Sequence, residues 1–260
     1  MVARRVLSLG ACLAALALAG CIALGDSAVP IGTLRIAALR QSKERTLVIV
    51  LPGIGGDAAE MKDERLPQAI HESWPEADIV LTSATFAYYR DDKLVPRLDQ
   101  EIVEPAYASG YTRVWLAGAS LGGMGALLYE REHPGKVTGI ALFAPFLGDT
   151  ELLEEIRSAG GLKLWEPGPL PSQMTGDNYQ RQVWKMVREW ACRPGLARRV
   201  WLAVGTRDRF LEGARLLEPE LPKTHYLELT GGHTWDLWRA AAREIFSRIR
   251  AESSERQHVG

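Results

Sequence analysis

The chain has 260 residues, 47% hydrophobic and 24% charged, with a formal net charge of −1. That mixture excludes a disordered or fibrous polypeptide, and the length suffices for one sizeable core. The near-neutral balance offers no electrostatic footprint for nucleic acid, which is therefore not an expected partner.

The N-terminus reads as an export signal. Arg4 and Arg5 form a basic start, and Val6 to Ala19 is an apolar run. It falls short of the roughly 20 residues that cross a bilayer and suits a cleaved leader. Leu18-Ala19-Gly20-Cys21 resembles a bacterial lipobox, in which Cys21 becomes the new N-terminus and carries lipid, palmitate among its acyl groups. The expected division is therefore a signal peptide over 1–20, a lipid-anchored tether over 21–32, one domain over 33–251 and a frayed tail over 252–260. The implied partner is a membrane surface held through Cys21. Ile22, rather than an acidic residue, follows the cysteine, so this resemblance favours the outer membrane, facing the periplasm, in the bacterial cell envelope. Cys12 leaves with the leader, so Cys192 has no partner for an internal disulfide and reads as a small buried apolar residue.

Thr33 to Leu39 alternates and predicts an edge strand, whereas Arg45 to Leu51 is a β-branched run that predicts a strand buried on both faces. A glycine-rich turn, Pro52 to Gly56, leads into a helix over Ala58 to His71, with Asp57 as N-cap and Pro67 as a break. Asp78 to Thr82 is a further strand, Phe86 to Asp92 a loop, and Leu98 to Ala108 a helix ended by Gly110. Strands follow at Arg113–Ala117, Val137–Ala144, Arg199–Val204 and Thr224–Leu229. A closing helix spans Thr234 to Arg250 with apolar residues at helical spacing. Strands alternating with helices predict an α/β fold with a mainly parallel sheet covered on both faces. Only 147–194 breaks the alternation. It carries Trp165, Trp184 and Trp190 and reads as a lid-like insertion over an apolar site.

The chemistry concentrates at Gly118-Ala119-Ser120-Leu121-Gly122, where a strand turns sharply into a helix from Met124 to Glu132. A serine at such a corner is held out over the sheet edge, but its hydroxyl is a weak nucleophile and needs a base with an orienting acid. Of the histidines, His71 and His133 sit at helix ends, His225 in or beside the last strand and His258 in the tail. His233 follows the last strand at the edge where ligands bind in open α/β sheets and is the expected base. Asp208, after the preceding strand, is the expected acid, with Asp149 the runner-up and Asp236 a helix-terminal charge. Oxyanion donors are expected from the amides of Leu121 and Ile54, with Gly55 second to Ile54. No metal-ligand spacing or phosphate loop appears, so neither a metal nor a cofactor is expected.

With these residues the chain resembles the α/β-hydrolase superfamily of serine esterases and lipases, over about Thr33 to Arg250. Gly232-His233-Thr234-Trp235 followed by Trp238 looks like the histidine segment of the esterase D and enterochelin-esterase-like group. Many relatives carry His-Gly where this chain has Pro52-Gly53. The resemblance implies the α/β-hydrolase fold and hydrolysis of small carboxylic esters through an acyl-enzyme, with Ser120, Asp208 and His233 as the triad. A thioesterase, lipase or peptidase would share every one of these residues. A catalytically idle envelope lipoprotein is the alternative from another class.

Overall fold

The structure is a computed structural model describing residues 25–190 and 193–259, with side chains through Ser253. The expected leader, Cys12, Cys21 and Cys192 lie outside the described residues.

Seven runs pair into one sheet: β1 (Thr33–Ile36), β2 (Thr46–Leu51), β3 (Ala77–Thr82), β4 (Arg113–Ala119), β5 (Gly139–Phe143), β6 (Val200–Gly205) and β7 (Tyr226–Leu229). Their order is β1-β3-β2-β4-β5-β6-β7. Only β1, at one edge, runs antiparallel to its neighbour. β2, β5 and β6 are buried along their whole length, which is why they read as apolar runs without alternation. The register pairs Leu51 of β2 with Gly118 of β4. The two chains therefore leave the sheet side by side, one into Pro52-Gly53 and the other into Ala119-Ser120.

Two sets of helices cover the sheet. The closing helix, Trp235–Val259, packs on Leu66–Ser73 and on β5 and β6. The helix after the serine corner, Leu121–Glu132, packs on β4 and β5 and against Leu94–Leu98 and Tyr179–Trp190. On the first side Trp74, Trp115, Phe143 and Phe246 meet edge-on or tilted, with ring centroids 6.1 to 6.3 Å apart.

Several boundaries differ from the sequence expectation. The helix expected over Ala58–His71 is two, Ala58–Asp63 and Leu66–Ser73, broken at Arg65 in a left-handed conformation rather than at Pro67, which opens the second. Phe86–Arg90 is a short helix instead of a loop, and the next begins at Leu94 and passes through a π-helical turn at Asp99–Val103. The closing helix continues to Val259, past the end expected at Arg250. Glu252 to Val259 holds no glycine or proline to stop it.

The last part of the expected tether is docked. Ser27 donates to Asp91 (2.5 Å), and Tyr88 donates to the Val29 carbonyl (3.0 Å). The Arg97 guanidinium donates to the Ala28 carbonyl (3.0 Å), and the Ile31 amide donates to Glu101 (2.7 Å). Ile31 itself is buried in the core, which gives this stretch an apolar anchor as well as polar ones.

The insertion consists of a helix at Thr150–Ser158, an irregular stretch and a helix at Tyr179–Trp190. Its three tryptophans do not line an open site, contrary to the expectation that they favour an apolar ligand. All three are buried. The Trp165 indole donates to Glu155 (2.7 Å), which also receives both arms of Arg181 (2.7 and 2.5 Å). The Trp184 indole donates to the Leu147 carbonyl (2.6 Å). Large rings with one polar tip suit an interior where the tip finds a partner, and here all three belong to the core shared with the rest of the domain.

Candidate active site

Ser120 caps β4 with φ 53° and ψ −119°, a backbone conformation that side chains rarely adopt. Such strain persists only where the surroundings over-determine it. Three hydrogen bonds do so: Ser120 N–H to Phe143 O (3.0 Å), and Gly123 and Phe146 N–H to Ser120 O (3.0 and 2.9 Å). The flanking glycines are a steric necessity. A Cβ on Gly118 would overlap the Gly122 backbone, and one on Gly122 would overlap the Leu51 carbonyl.

Asp208 and His233 are joined through the loops after β6 and β7. Thr206 N–H donates to Leu229 O and Arg207 N–H to Gly231 O, both at 2.8 Å, so the two loops run as one clasp. Within it, His233 Nδ1 donates to Asp208 Oδ2 at 2.9 Å, with Oδ1 at 3.1 Å. The Phe210 amide donates to Oδ1 at 2.9 Å. The Asp208 carboxylate is wholly shielded from solvent, while the imidazole keeps 13% of its surface exposed. His233 Nε2 is buried and has no hydrogen-bond partner among the described residues. With Nδ1 committed as donor, Nε2 is the acceptor nitrogen of the neutral ring.

Gly53 and Trp238 connect this pair to the serine. A Cβ on Gly53 would lie 3.5 Å from Ser120 Cβ and 3.7 Å from the Trp238 ring, which meets His233 edge-on at 5.1 Å. Phe210 also meets the imidazole edge-on at 4.9 Å and approaches Phe146 in turn at 5.5 Å. This aromatic collar holds the ring plane. Trp238 belongs to the histidine segment legible in the sequence. Phe146 and Phe210 carry no comparable motif, although an Asp-x-Phe whose Asp accepts the Phe amide is a local turn that sequence can suggest.

The expected oxyanion donors lie in the two turns that leave β2 and β4. The Leu121 amide is the first of its helix and has no intrahelical acceptor. Ile54 is the second residue of a turn closed by Gly56 N–H to Gly53 O (3.1 Å), with Gly55 at φ 78°. Its side chain is 61% exposed, which is a poor place for an isoleucine unless the turn serves something other than the core. The other candidates fall elsewhere. Asp149 is bonded to Gln180 (2.7 Å), and Asp236 is an exposed partner of Arg239. His71 bonds the Ala77 carbonyl (3.0 Å), His225 stacks on Trp201, and His133 stands beside Tyr129. His258 is helical, with no side chain described.

Beside the serine corner, a cavity of about 730 Å³ lies between Phe86–Gln100, the helix Leu121–Glu132 and the Ser172–Tyr179 stretch of the insertion. Leu121 belongs to its wall. The Tyr89 hydroxyl donates to the Leu121 carbonyl (3.3 Å), and burial pushes that phenol above its ordinary pKa. The cavity therefore meets the corner at the residue that follows the serine.

A mainly parallel sheet with a strained serine at one strand end and an Asp–His pair at two others defines an α/β-hydrolase. Residues 41–249 match the family described as "Putative esterase". The chain belongs to that family and is a carboxylic ester hydrolase. No curated protein sequence matches it. Among solved structures it is similar to Est1E from Butyrivibrio proteoclasticus, at 17% identity and TM-score 0.56, covering 88% of this chain and 96% of that one. It is also similar to the Paleococcus ferrophilus monoacylglycerol lipase (19%, TM-score 0.53, covering 84% and 99%). A third is the S-formylglutathione hydrolase of Staphylococcus aureus (11%, TM-score 0.53, covering 85% and 98%).

Proposed function

We propose that the chain cleaves carboxylic esters through an acyl-enzyme, with Ser120, His233 and Asp208 as its triad. The Ser120 oxygen attacks the ester carbonyl and passes its proton to His233 Nε2, while Asp208 holds the Nδ1 proton and balances the imidazolium. The amides of Ile54 and Leu121 receive the oxyanion. Collapse breaks the acyl–alkoxy bond, and the alcohol leaves with the proton from Nε2. Water then attacks the acyl-serine, giving its proton to the same nitrogen; the second collapse breaks the acyl–Ser120 bond, Nε2 returns the proton to the Ser120 oxygen, and the acid departs.

The observation that supports this best is the His233 imidazole. One nitrogen is fixed on a shielded carboxylate, the other is buried and unpaired, and the ring contacts the same tryptophan that borders Gly53 and Ser120. Ser120→Ala is expected to abolish turnover of p-nitrophenyl acetate and labelling by a fluorophosphonate while the protein stays folded. Undiminished turnover in that variant would falsify the nucleophile assignment.

The leader sequence supports a second part of the proposal, that the mature protein is a lipoprotein of the outer membrane, tethered through Cys21 and facing the periplasm. Cys21→Ser is expected to release it from membranes, and continued retention rules the anchor out.

A further inference from the structure

We propose that the docked N-terminal segment fixes the enzyme's orientation on the bilayer, with the cavity mouth against the lipid. The occupant of that cavity is then the acyl chain of a membrane-borne ester. This rests on the ester-hydrolase and anchor readings above.

The segment after the anchor is not a loose leash. Residues 27–31 are fastened at Tyr88, Asp91, Arg97 and Glu101. Gly25 sits tightly against Thr85, with φ 76°. Every one of these contacts falls on the stretch from Thr85 to Glu101, and Phe86 to Gln100 of that stretch is a wall of the cavity. Only four peptide steps separate Gly25 from Cys21, which gives a reach of about 14 Å when fully extended. A lipid on Cys21 therefore brings the bilayer surface to this wall. Residues remote from it cannot take that place without undocking the segment.

The cavity suits a hydrocarbon chain. Phe86, Leu94, Val95, Leu121, Leu128 and Met174 give it an apolar wall along the helix from Leu121 to Glu132, while charged and polar residues such as Arg90, Asp92 and Asp177 also line it. Eleven helical rises make that path about 16 Å long. Leu121, the residue after Ser120, is in its wall, while Ser120, Asp208 and His233 are not, so in this proposal the chain runs past Leu121 to bring its ester end to the serine corner. Val29, on the docked segment, leaves its side chain half exposed, an apolar group on the face turned to the bilayer. A chain leaving the bilayer here passes from lipid onto the apolar wall of the cavity, which removes part of its surface from water.

The test uses the full lipidated chain in phosphatidylcholine vesicles. It compares water-soluble p-nitrophenyl acetate with 4-methylumbelliferyl palmitate carried in the bilayer. Inserting a Gly-Ser linker of about twelve residues between Leu24 and Gly25 adds roughly 19 Å of flexible reach and frees the orientation. The expected result is unchanged acetate hydrolysis and vesicle retention, with palmitate hydrolysis lowered about tenfold as the effective concentration of the mouth at the surface falls. Equal palmitate rates with and without the linker overturn the proposal. So does faster acetate hydrolysis by Cys21→Ser than by the lipidated chain, because the anchor's own acyl group would then be filling the cavity.

A second measurement does not depend on activity. In a Cys192→Ser background, an environment-sensitive dye on Asp92→Cys, at the cavity, should be quenched by nitroxide lipids. The same dye on Lys223→Cys, at the opposite edge of the sheet, should not. Equal quenching at both positions overturns the orientation. Loss of vesicle binding by the parent overturns it together with the anchor, and absence of acetate hydrolysis overturns it together with the ester-hydrolase reading.

Discussion

Replacing Asp208 by Asn changes two oxygens into one oxygen and one amide nitrogen at almost no cost in volume. The Phe210 amide donates to Oδ1, so the retained oxygen must stay there. The new NH2 group then occupies the Oδ2 position, 2.9 Å from His233 Nδ1. It can only donate, which forces Nδ1 to become the acceptor and moves the ring proton to Nε2. The base then presents a proton to Ser120 instead of a lone pair. Loss of the charge adds to this. The carboxylate is fully shielded, so no water replaces its charge beside the imidazolium that forms as Ser120 attacks. Tautomer and charge together place the expected loss of kcat/KM towards p-nitrophenyl acetate at about 10⁴-fold. Thermal melting should shift little, since the shape and the Phe210 bond persist. Asp149→Asn, altered only where it meets Gln180, should keep activity within about twofold, as surface changes remote from chemistry do. A folded Asp208→Asn enzyme retaining more than about a tenth of its activity would refute the assignment, because an orienting acid contributes far more than that.

Ser120→Gly should be inactive yet more stable. A glycine relieves the cost of φ 53°, about 1–2 kcal/mol, so differential scanning calorimetry should show Tm raised by several degrees; a lower Tm would mean the corner carries no strain. Gly118→Ala presses a methyl against the backbone of Gly122 and, at 2.6 Å, against Gly123 N. Urea unfolding should show it destabilised by about 1–3 kcal/mol, with esterase activity falling as the corner shifts, and neutrality in both would contradict the close approach. The insertion should loosen in acid. Hydrogen bonds from Arg181 and then Trp165 hold the Glu155 carboxyl down to about 2. Its contribution is thus complete above the ordinary value near 4.5 and lost as pH falls towards 2. Proteolysis of 159–178 should accelerate over that window in the parent, and Glu155→Gln should flatten the dependence.

What could be read from the sequence is what short-range chemistry dictates. β2, β5 and β6 are buried on both faces, so their runs of Val, Ile and Leu stand out. The serine corner announces itself because Gly118 and Gly122 have no room for a side chain. The order Ser120, Asp208, His233 follows from loops that all leave the same edge of a parallel sheet. Long-range packing stayed hidden. Residues 27–31 look like a linker because their partners, Tyr88 to Glu101, are more than fifty residues away. The three tryptophans of the insertion read as a ligand surface because composition cannot tell an indole facing a cavity from one whose N–H meets Glu155 or Leu147. Nor can composition show Phe146 and Phe210 bracing His233, since that depends on where two distant loops meet.

The tryptophans of the insertion point into the shared interior, and none of them lines the cavity. The wall that the insertion gives the cavity is instead the irregular stretch 172–179, which carries no part of the strained serine turn or of the Asp208–His233 clasp. Substitutions there can therefore reshape the cavity while leaving the buried rings and the reactive corner as they are.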